Sequence, residues 1–193
     1  MEVKTSVSPK KYSFREKSMK QGGHLNLPHI DMKGYYQFIT FRIKESIDSY
    51  LKQLYANKYD SEKIKQYKMD QYLDKSINGA FLNGSLIQEI QNYYFNHHGK
   101  EFDLYAVTIM PNHIHALVKQ KSSLSDIVRI LKGGSAHIIN KRLNRTGKVW
   151  SSDYFDKVIR DEKHFQITYE YIKHNAFKAK LEDAKERFYG YFE

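Results

Sequence analysis

The sequence predicts an α+β sandwich, a mostly antiparallel sheet with helices packed on it, and three observations predict it. Short runs dense in aromatic and β-branched residues alternate with longer stretches of 3.6-residue period. Two of those runs, FDLYAVTIM (102–110) and HIHALVKQ (113–120), are separated only by Pro111-Asn112, a link that suits an antiparallel hairpin and is too short for a parallel crossover. The 193 residues suffice for one full-sized core and leave little for a second. The chain therefore reads as a single domain over 24–193, preceded by a basic arm over 1–23 that has little apolar periodicity and ends in Gln21-Gly22-Gly23. That arm reads as mobile until bound, with a solvated tail as the alternative.

In chain order, YYQFITFRI (35–43), introduced by Gly34, is the first strand and has the content of a central one. From Lys44 to about Asp74 the period turns helical. Ile47, Leu51, Leu54 and Tyr55 share one stripe; after the Asp60-Ser61 break, Ile64, Tyr67 and Tyr72 make a second, weaker one. Two helices are expected there. Residues 76–84 read as loop, and SLIQEIQNYYFNHH (85–98) resumes the helical period through Ile87, Ile90 and Tyr94 until Gly99 stops it. The two hairpin strands follow. Ser123-Leu124-Ser125-Asp126 has the form of a capping box, so a helix starts there and runs through Leu124, Ile127, Leu131 and Ile138 to about Leu143, with Gly133-Gly134 marking a bend. VWSSDYFDKVI (149–159) is the fourth strand, and Asp161 is the N-cap of a last helix reaching about Lys180.

With 32 Lys and Arg against 22 Asp and Glu the formal charge is +10, a balance that favours a polyanionic partner, nucleic acid first. There is no cysteine, which excludes disulfides, thiolate metal sites and cysteine nucleophiles. Any metal must rest on His, carboxylate or amide ligands. The N-terminus is polar and lacks the apolar segment of a signal peptide, and no run approaches the roughly 18 apolar residues of a membrane span. A cytoplasmic protein with no membrane partner is expected.

The stretch IMPNHIHALV (109–118) carries two histidines one residue apart. In a strand, residues i and i+2 share a face, so His113 and His115 project together while Ile114, Ala116 and Val118 turn to the core. Two such imidazoles can bind one divalent cation if an oxygen ligand joins them. They can equally be two side chains on a half-exposed strand face. The last helix offers further groups. At about 100° per residue, Phe165, Ile172, Ala176 and Ala179 form its buried stripe. Tyr171 and Asn175, at i and i+4, lie together on one shoulder, and Tyr169 falls on the opposite one. In a chain with 16 tyrosines, periodicity alone does not separate Tyr171 from a packing residue.

These residues carry a resemblance. MPNHIHALV resembles the His-hydrophobic-His (HUH) motif of single-tyrosine transposases, in the version typical of REP-associated tyrosine transposases. The segment VWSSDYFDKVIRDEKHFQITYEYIKHNAFKAKL (149–181) is similar to the same family's C-terminal signature: a Trp, then Tyr-Phe-Asp, Ile-Arg-Asp, His-Phe, and a Tyr-Ile-x-x-Asn block. LPHIDMKGYYQFITFR (27–42) and LDKSINGAFL (73–82) resemble family blocks upstream, so the likeness runs in order over 27–181. It implies a ferredoxin-like HUH-nuclease sandwich. Residue by residue, it assigns His113 and His115 to metal binding, Asn175 to the third ligand and Tyr171 to the nucleophile. The family pattern has Asn-Pro where this chain has Asn175-Ala176; alanine lets the helix continue where proline would bias the preceding residue away from it.

The activity so implied is cleavage and rejoining of single-stranded, hairpin-bearing DNA by transesterification. The tyrosine oxygen attacks a backbone phosphorus to give a 5′-phosphotyrosine and a free 3′-OH, and the covalent link makes a nucleotide cofactor unnecessary. Mg²⁺ or Mn²⁺ is the implied ion, polarising a phosphate oxygen. From Arg129 to Lys148 every charged residue is basic. Arg129, Lys132, Lys141, Arg142, Arg145 and Lys148 form a candidate phosphate-binding surface beside the His-bearing strand, with a solvated helix face as the alternative. In the arm, Lys10, Lys11, Arg15, Lys17 and Lys20 alternate with Tyr12 and Phe14, which suits single-strand or hairpin binding by charge and stacking. The family implies a bacterial, nucleoid-associated monomer or homodimer. Two other readings stand beside it: a domesticated DNA-binding protein that keeps the fold without the chemistry, and a metal-dependent phosphodiesterase that uses water.

Overall fold

The computed structural model describes residues 29–191. The basic arm, with Lys10, Lys11 and Arg15, lies outside the described residues. The elements are β1 (Tyr36–Arg42), α1 (Ser49–Ala56), α2 (Glu62–Leu73), α3 (Ser85–Asn96), β2 (Phe102–Ile109), β3 (His113–Gln120), α4 (Leu124–Arg142), β4 (Phe155–Ile159), α5 (Glu162–Lys178), α6 (Ala184–Arg187) and β5 (Phe188–Gly190). The strands of the sheet all pair antiparallel, in the order β4-β1-β3-β2-β5. Strands β1 to β4, connected through α3 and α4, reproduce the βαββαβ pattern of the ferredoxin-like sandwich. Strand β5 extends the sheet beyond β2.

The period of two along the strands sorts their side chains onto two covered faces. On the first, Ile39, Phe41, Val107, Ile109, Ile114, Ala116 and Val118 pack against Ile87, Ile90 and Tyr94 of α3 and Ile127, Leu131 and Ile139 of α4. On the second, Phe38, Ala106 and Leu117 join Phe165, Tyr169 and Ile172 of α5, where the Thr108 hydroxyl donates to the Ile172 carbonyl at 2.5 Å. Strand β3 is therefore buried on both sides, Lys119 alone being half-buried. The expected caps are present: Ser123 accepts from the Asp126 amide and Asp161 from the His164 amide. Among the described residues no helix is long and apolar enough to cross a membrane.

Four expectations change. In α2, Ile64 and Tyr67 are exposed, and the buried stripe is Lys65, Met69 and Leu73 against Leu51 and Leu54 of α1. The Lys65 stem serves there as apolar surface while its ammonium reaches the Tyr55 carbonyl at 3.5 Å. The strand expected over 149–159 is regular only over Phe155–Ile159. Before it, Trp150 makes a single bridge to Ile43, and the Ser151 and Ser152 carbonyls accept from the Lys132 ammonium instead of a neighbouring strand. Helix α4 runs unbroken through Gly133-Gly134. Gly134 instead admits Tyr93 of α3, whose ring carbon Cζ would lie 1.9 Å from a Cβ there. Finally, α6 and β5 were not foreseen; they are four and three residues long, too short to show a period.

Candidate functional site

The register of β3 sets the histidines between two polar neighbours: Thr40 and Thr108 stand opposite His115 on either side, and Arg42 opposite His113. Both imidazoles project to the second face, with their Nε2 atoms 3.0 Å apart. The half-exposed strand face allowed by the sequence is not what forms, because α5 covers it and both rings are 0% exposed. Burial, with the Arg42 guanidinium second, pushes His115 down to about 3. Burial, then its neighbour His115, then Arg42, hold His113 well below the usual imidazole range. Both rings are neutral, as ligands must be.

Asn112 decides where His113 carries its proton. The Asn112 Nδ2 donates to the carbonyls of Leu73 and Ser76 at 3.0 Å each. Its Oδ1 is thereby turned to the Nδ1 of His113 at 2.7 Å, and an amide oxygen only accepts. The His113 proton therefore sits on Nδ1 and the Nε2 lone pair points at His115. At the other ring, Thr40 Oγ1 lies 2.8 Å from Nδ1. A hydroxyl donates or accepts, so His115 can give an Nε2 proton to His113, or hold its proton on Nδ1 and turn a second lone pair to a cation.

Helix α5 brings Tyr171 to the pair and carries Asn175 beside it into the same cleft. The Tyr171 ring stands edge-on to His115 at 5.3 Å and to Phe38 at 5.9 Å, and its hydroxyl donates to Asp70 Oδ2 of α2 at 2.9 Å. Burial first, then the charge of Asp70, raise the phenol above its ordinary range. Asn175, one turn on, is 2% exposed, and its Oδ1 has no hydrogen-bond partner among the described residues. The helix does continue through Ala176, which packs against Met110 and Ala184, and this keeps Asn175 on the same shoulder as Tyr171. Tyr169 is far from this chemistry: its ring packs against Phe165 and Phe188, with its hydroxyl over Gly190 of β5, two strands from the histidines.

Several residues at the site were not singled out by the sequence. Asp70 and Asp74 lie one turn apart near the end of α2. Burial raises the Asp70 carboxyl to about 7 against the opposing Tyr171 hydrogen bond and Arg42 charge. Asp74 is raised to about 6, again by burial, against Lys178 and Lys75. Asp74 Oδ1 is 3.7 Å from His113 Nε2 and has no hydrogen-bond partner among the described residues. With His113 neutral, that contact is not an ion pair. Arg42 is buried with its guanidinium carbon 5.5 Å from the Tyr55 ring centre. Lys75, Lys178 and Lys180 line a cleft of about 630 Å³ together with Asp70, Asp74, Tyr171 and Asn175. Arg42, Asp74, Lys75, Lys178 and Lys180 fall within the family-like blocks 27–42, 73–82 and 149–181, whereas Asp70 lies outside all of them.

The donor set suits a hard or borderline divalent cation: two neutral imidazole nitrogens and two buried oxygens, of Asn175 and Asp74, left without partners. Among the described residues no three His, Cys, Asp or Glu side chains stand gathered for a metal, so Asp74 does not complete a site with the two histidines by itself and the Asn175 amide counts in that set.

The basic residues expected beside the histidines are not brought to them. Helix α4 packs on the first face, opposite the pair. Arg129 pairs with Asp126, Lys132 is tied to the Ser151 and Ser152 carbonyls, Arg142 reaches Ser85 and Glu89, and Arg145 pairs with Glu45. Lys141 lines a separate cavity with Glu89 and Arg142, and Lys148 another with Lys44, Lys52 and Tyr55. The charge in this segment is real, but much of it is engaged in holding α4 to its surroundings.

Comparison with known proteins gives three results. The family described as transposase IS200 like matches residues 77–175, from the loop after α2 to Asn175. Among solved structures, the chain is similar to a REP-associated tyrosine transposase bound to a REP hairpin, at 16% identity and a TM-score of 0.46, covering 80% of this chain and 74% of that one. It is also similar to a candidate transposase from Deinococcus radiodurans R1, at 15% identity and a TM-score of 0.43, covering 81% and 98%. A search of curated protein sequences finds no match.

Proposed function

The chain belongs to the IS200-like transposases, and on that premise we propose that it cuts and rejoins single-stranded, hairpin-bearing DNA through a covalent 5′-phosphotyrosine formed on Tyr171. The observation that carries this reading is the meeting of Tyr171 with the buried histidine pair, ring to ring at 5.3 Å, in a lysine-rimmed cleft.

The Tyr171 oxygen forms a bond to a backbone phosphorus as the bond from that phosphorus to the 3′-oxygen breaks, leaving a free 3′-OH; reversal of the same exchange rejoins strands. An unperturbed phenol ionises near pH ~10, and this one is raised further, so its proton must leave as the attack proceeds. Phe38 and His115, stacked side by side beneath it, both meet the ring edge-on and hold it at one angle to the cleft. The Lys178 ammonium, 5.7 Å from the Tyr171 ring centre, and Lys180 draw a phosphodiester toward the hydroxyl. Asn112 holds the His113 proton on Nδ1, and Thr40 can accept a His115 proton on the corresponding atom, which leaves the two facing Nε2 atoms free to turn lone pairs to a shared cation. His113, His115, Asn175 and Asp74 would hold Mg²⁺ or Mn²⁺, which when bound supplies Lewis-acid polarisation of a phosphate oxygen.

The test is incubation of the protein with labelled single strands carrying a hairpin, in Mn²⁺, followed by denaturing electrophoresis. A denaturation-resistant protein–DNA adduct is expected from the wild type and none from Tyr171→Phe, with DNA binding retained. Undiminished adduct in that variant overturns the assignment. Salt-sensitive binding without an adduct in the wild type would mark a DNA-binding protein that has lost the chemistry, and turnover without an adduct a water-using phosphodiesterase.

A further inference from the structure

We propose that Asp70 is the general base of this site, taking the proton from Tyr171 as the phenol oxygen attacks phosphorus. The proposal rests on the reading of Tyr171 as the nucleophile and adds to it a residue that the family match, which begins at residue 77, does not contain.

The hydroxyl of Tyr171 donates to Asp70 Oδ2 at 2.9 Å, within the reach a base needs. The imidazoles that serve this purpose in many nucleophile sites are engaged elsewhere here. Both Nδ1 atoms are held by Asn112 and Thr40, and the two Nε2 atoms face each other. Asp70 is also oriented: its Oδ1 accepts from the Gln66 amide, one turn earlier on α2, at 2.7 Å, which leaves Oδ2 directed at the tyrosine. The groups that face it are Tyr171 from α5, Asp74 from its own helix and the buried Arg42 guanidinium from β1, whose positive charge favours an ionised carboxylate in a buried place. Burial, held in check by the Tyr171 hydrogen bond and the Arg42 charge, leaves the carboxyl at about 7, near the operating range where a base is most effective.

The step balances without another reagent. The Tyr171 oxygen–phosphorus bond forms, the bond from phosphorus to the 3′-oxygen breaks, the phenol proton passes to Asp70, and the departing 3′-oxygen takes a proton from solvent water. On rejoining, the 3′-hydroxyl gives its proton to solvent, and the released phenolate recovers its own from Asp70.

The experiment measures single-turnover adduct formation and DNA affinity for the wild type and Asp70→Asn, each with Tyr171 as tyrosine or as 3,5-difluorotyrosine, a more acidic phenol with less need of a base. Asp70→Asn is expected to slow adduct formation by roughly 10²–10⁴-fold with DNA affinity unchanged or tighter. Difluorotyrosine is expected to return at least about tenfold of that loss in the variant while changing the wild type little. An unaltered rate in Asp70→Asn, or a loss that the fluorinated residue does not relieve, overturns the proposal while leaving Tyr171 as the nucleophile. Absence of any adduct from the wild type overturns the underlying reading and this proposal with it. Should thermal melts show Asp70→Asn unfolded, Asp70→Ser carries the same measurement with the same outcomes.

Discussion

At the scale of single residues, the chemistry depends on side chains that look ordinary in the sequence. Asn112 stands in the hairpin turn, yet its amide grips two carbonyls at the end of α2 and dictates the His113 tautomer. Asn112→Ala removes all of this, and a loss of 10–100-fold in Mn²⁺ affinity is expected by calorimetry, with a fall of about 1–3 kcal/mol in urea-melt stability. Asp70 makes the opposite kind of contribution. Its folded-state carboxyl, at about 7, lies above the ordinary value near ~3.9, so the native protein binds the extra proton between those limits. The stability associated with it is full below about pH 4 and declines as the pH rises through 7. In metal-free buffer, where the two depressed histidines add a rise of their own up to about pH 6.5 in both proteins, the stability of Asp70→Asn relative to the wild type should grow between about pH 4 and pH 7, to an excess of a few kcal/mol at pH 8, on the order of what such a shift represents. A difference between variant and wild type that does not grow across that window would refute the assignment of a buried, reluctant carboxylate.

At the scale of elements, the helix starts written as Ser123 and Asp161 were legible because a cap is a local event, involving a side chain and an amide three residues on. The length of β4 was not, because the segment before it gives its carbonyls to Lys132, a partner about 20 positions away in the chain. The loop 76–84 shows how an irregular element can be tightly specified. Gly79 has φ +67, and a Cβ there would lie 2.8 Å from Ile43 Cγ2 and 3.1 Å from the Ser46 amide nitrogen. Gly79→Ala therefore combines left-handed backbone strain with a clash against β1 and the turn after it. A cost of about 1–3 kcal/mol is expected, read as a fall of roughly 2–12 °C in melting temperature. An unchanged melt would show that the loop can move away without loss.

At the scale of the whole molecule, the net charge of +10 pointed correctly to a polyanion-handling family, but the position of the useful charge follows from topology. The crossover helices α3 and α4 cover one face of the sheet and α5 the other, so the basic run of α4 is separated from the histidines by the sheet itself. The lysines beside Tyr171 come instead from the end of α5 and the residues just past α5 and α2. Lys178→Ala and Lys180→Ala are expected to weaken single-stranded DNA binding and to lower the salt slope by about 0.7 each, whereas Arg129→Ala and Arg142→Ala leave both nearly unchanged. Equal effects from the two pairs, in a filter-binding series over salt, would return α4 to the DNA-contacting surface.

The pattern of strands and helices, the hairpin that carries HIH, the shared shoulder of Tyr171 and Asn175, and the family likeness were all determined by the sequence alone. Each depends on local spacing, a period of two or of 3.6, or on motif order, and these are properties of the chain before it folds. Only the tertiary structure decided that the histidine face is fully buried, that Asp70 and Asp74 of α2 meet Tyr171 and His113, and that Asn112 orients an imidazole. Those are contacts between residues 36 to 101 positions apart, or consequences of such contacts. No periodicity records them, because they depend on where the α1–α2 hairpin comes to rest against the sheet.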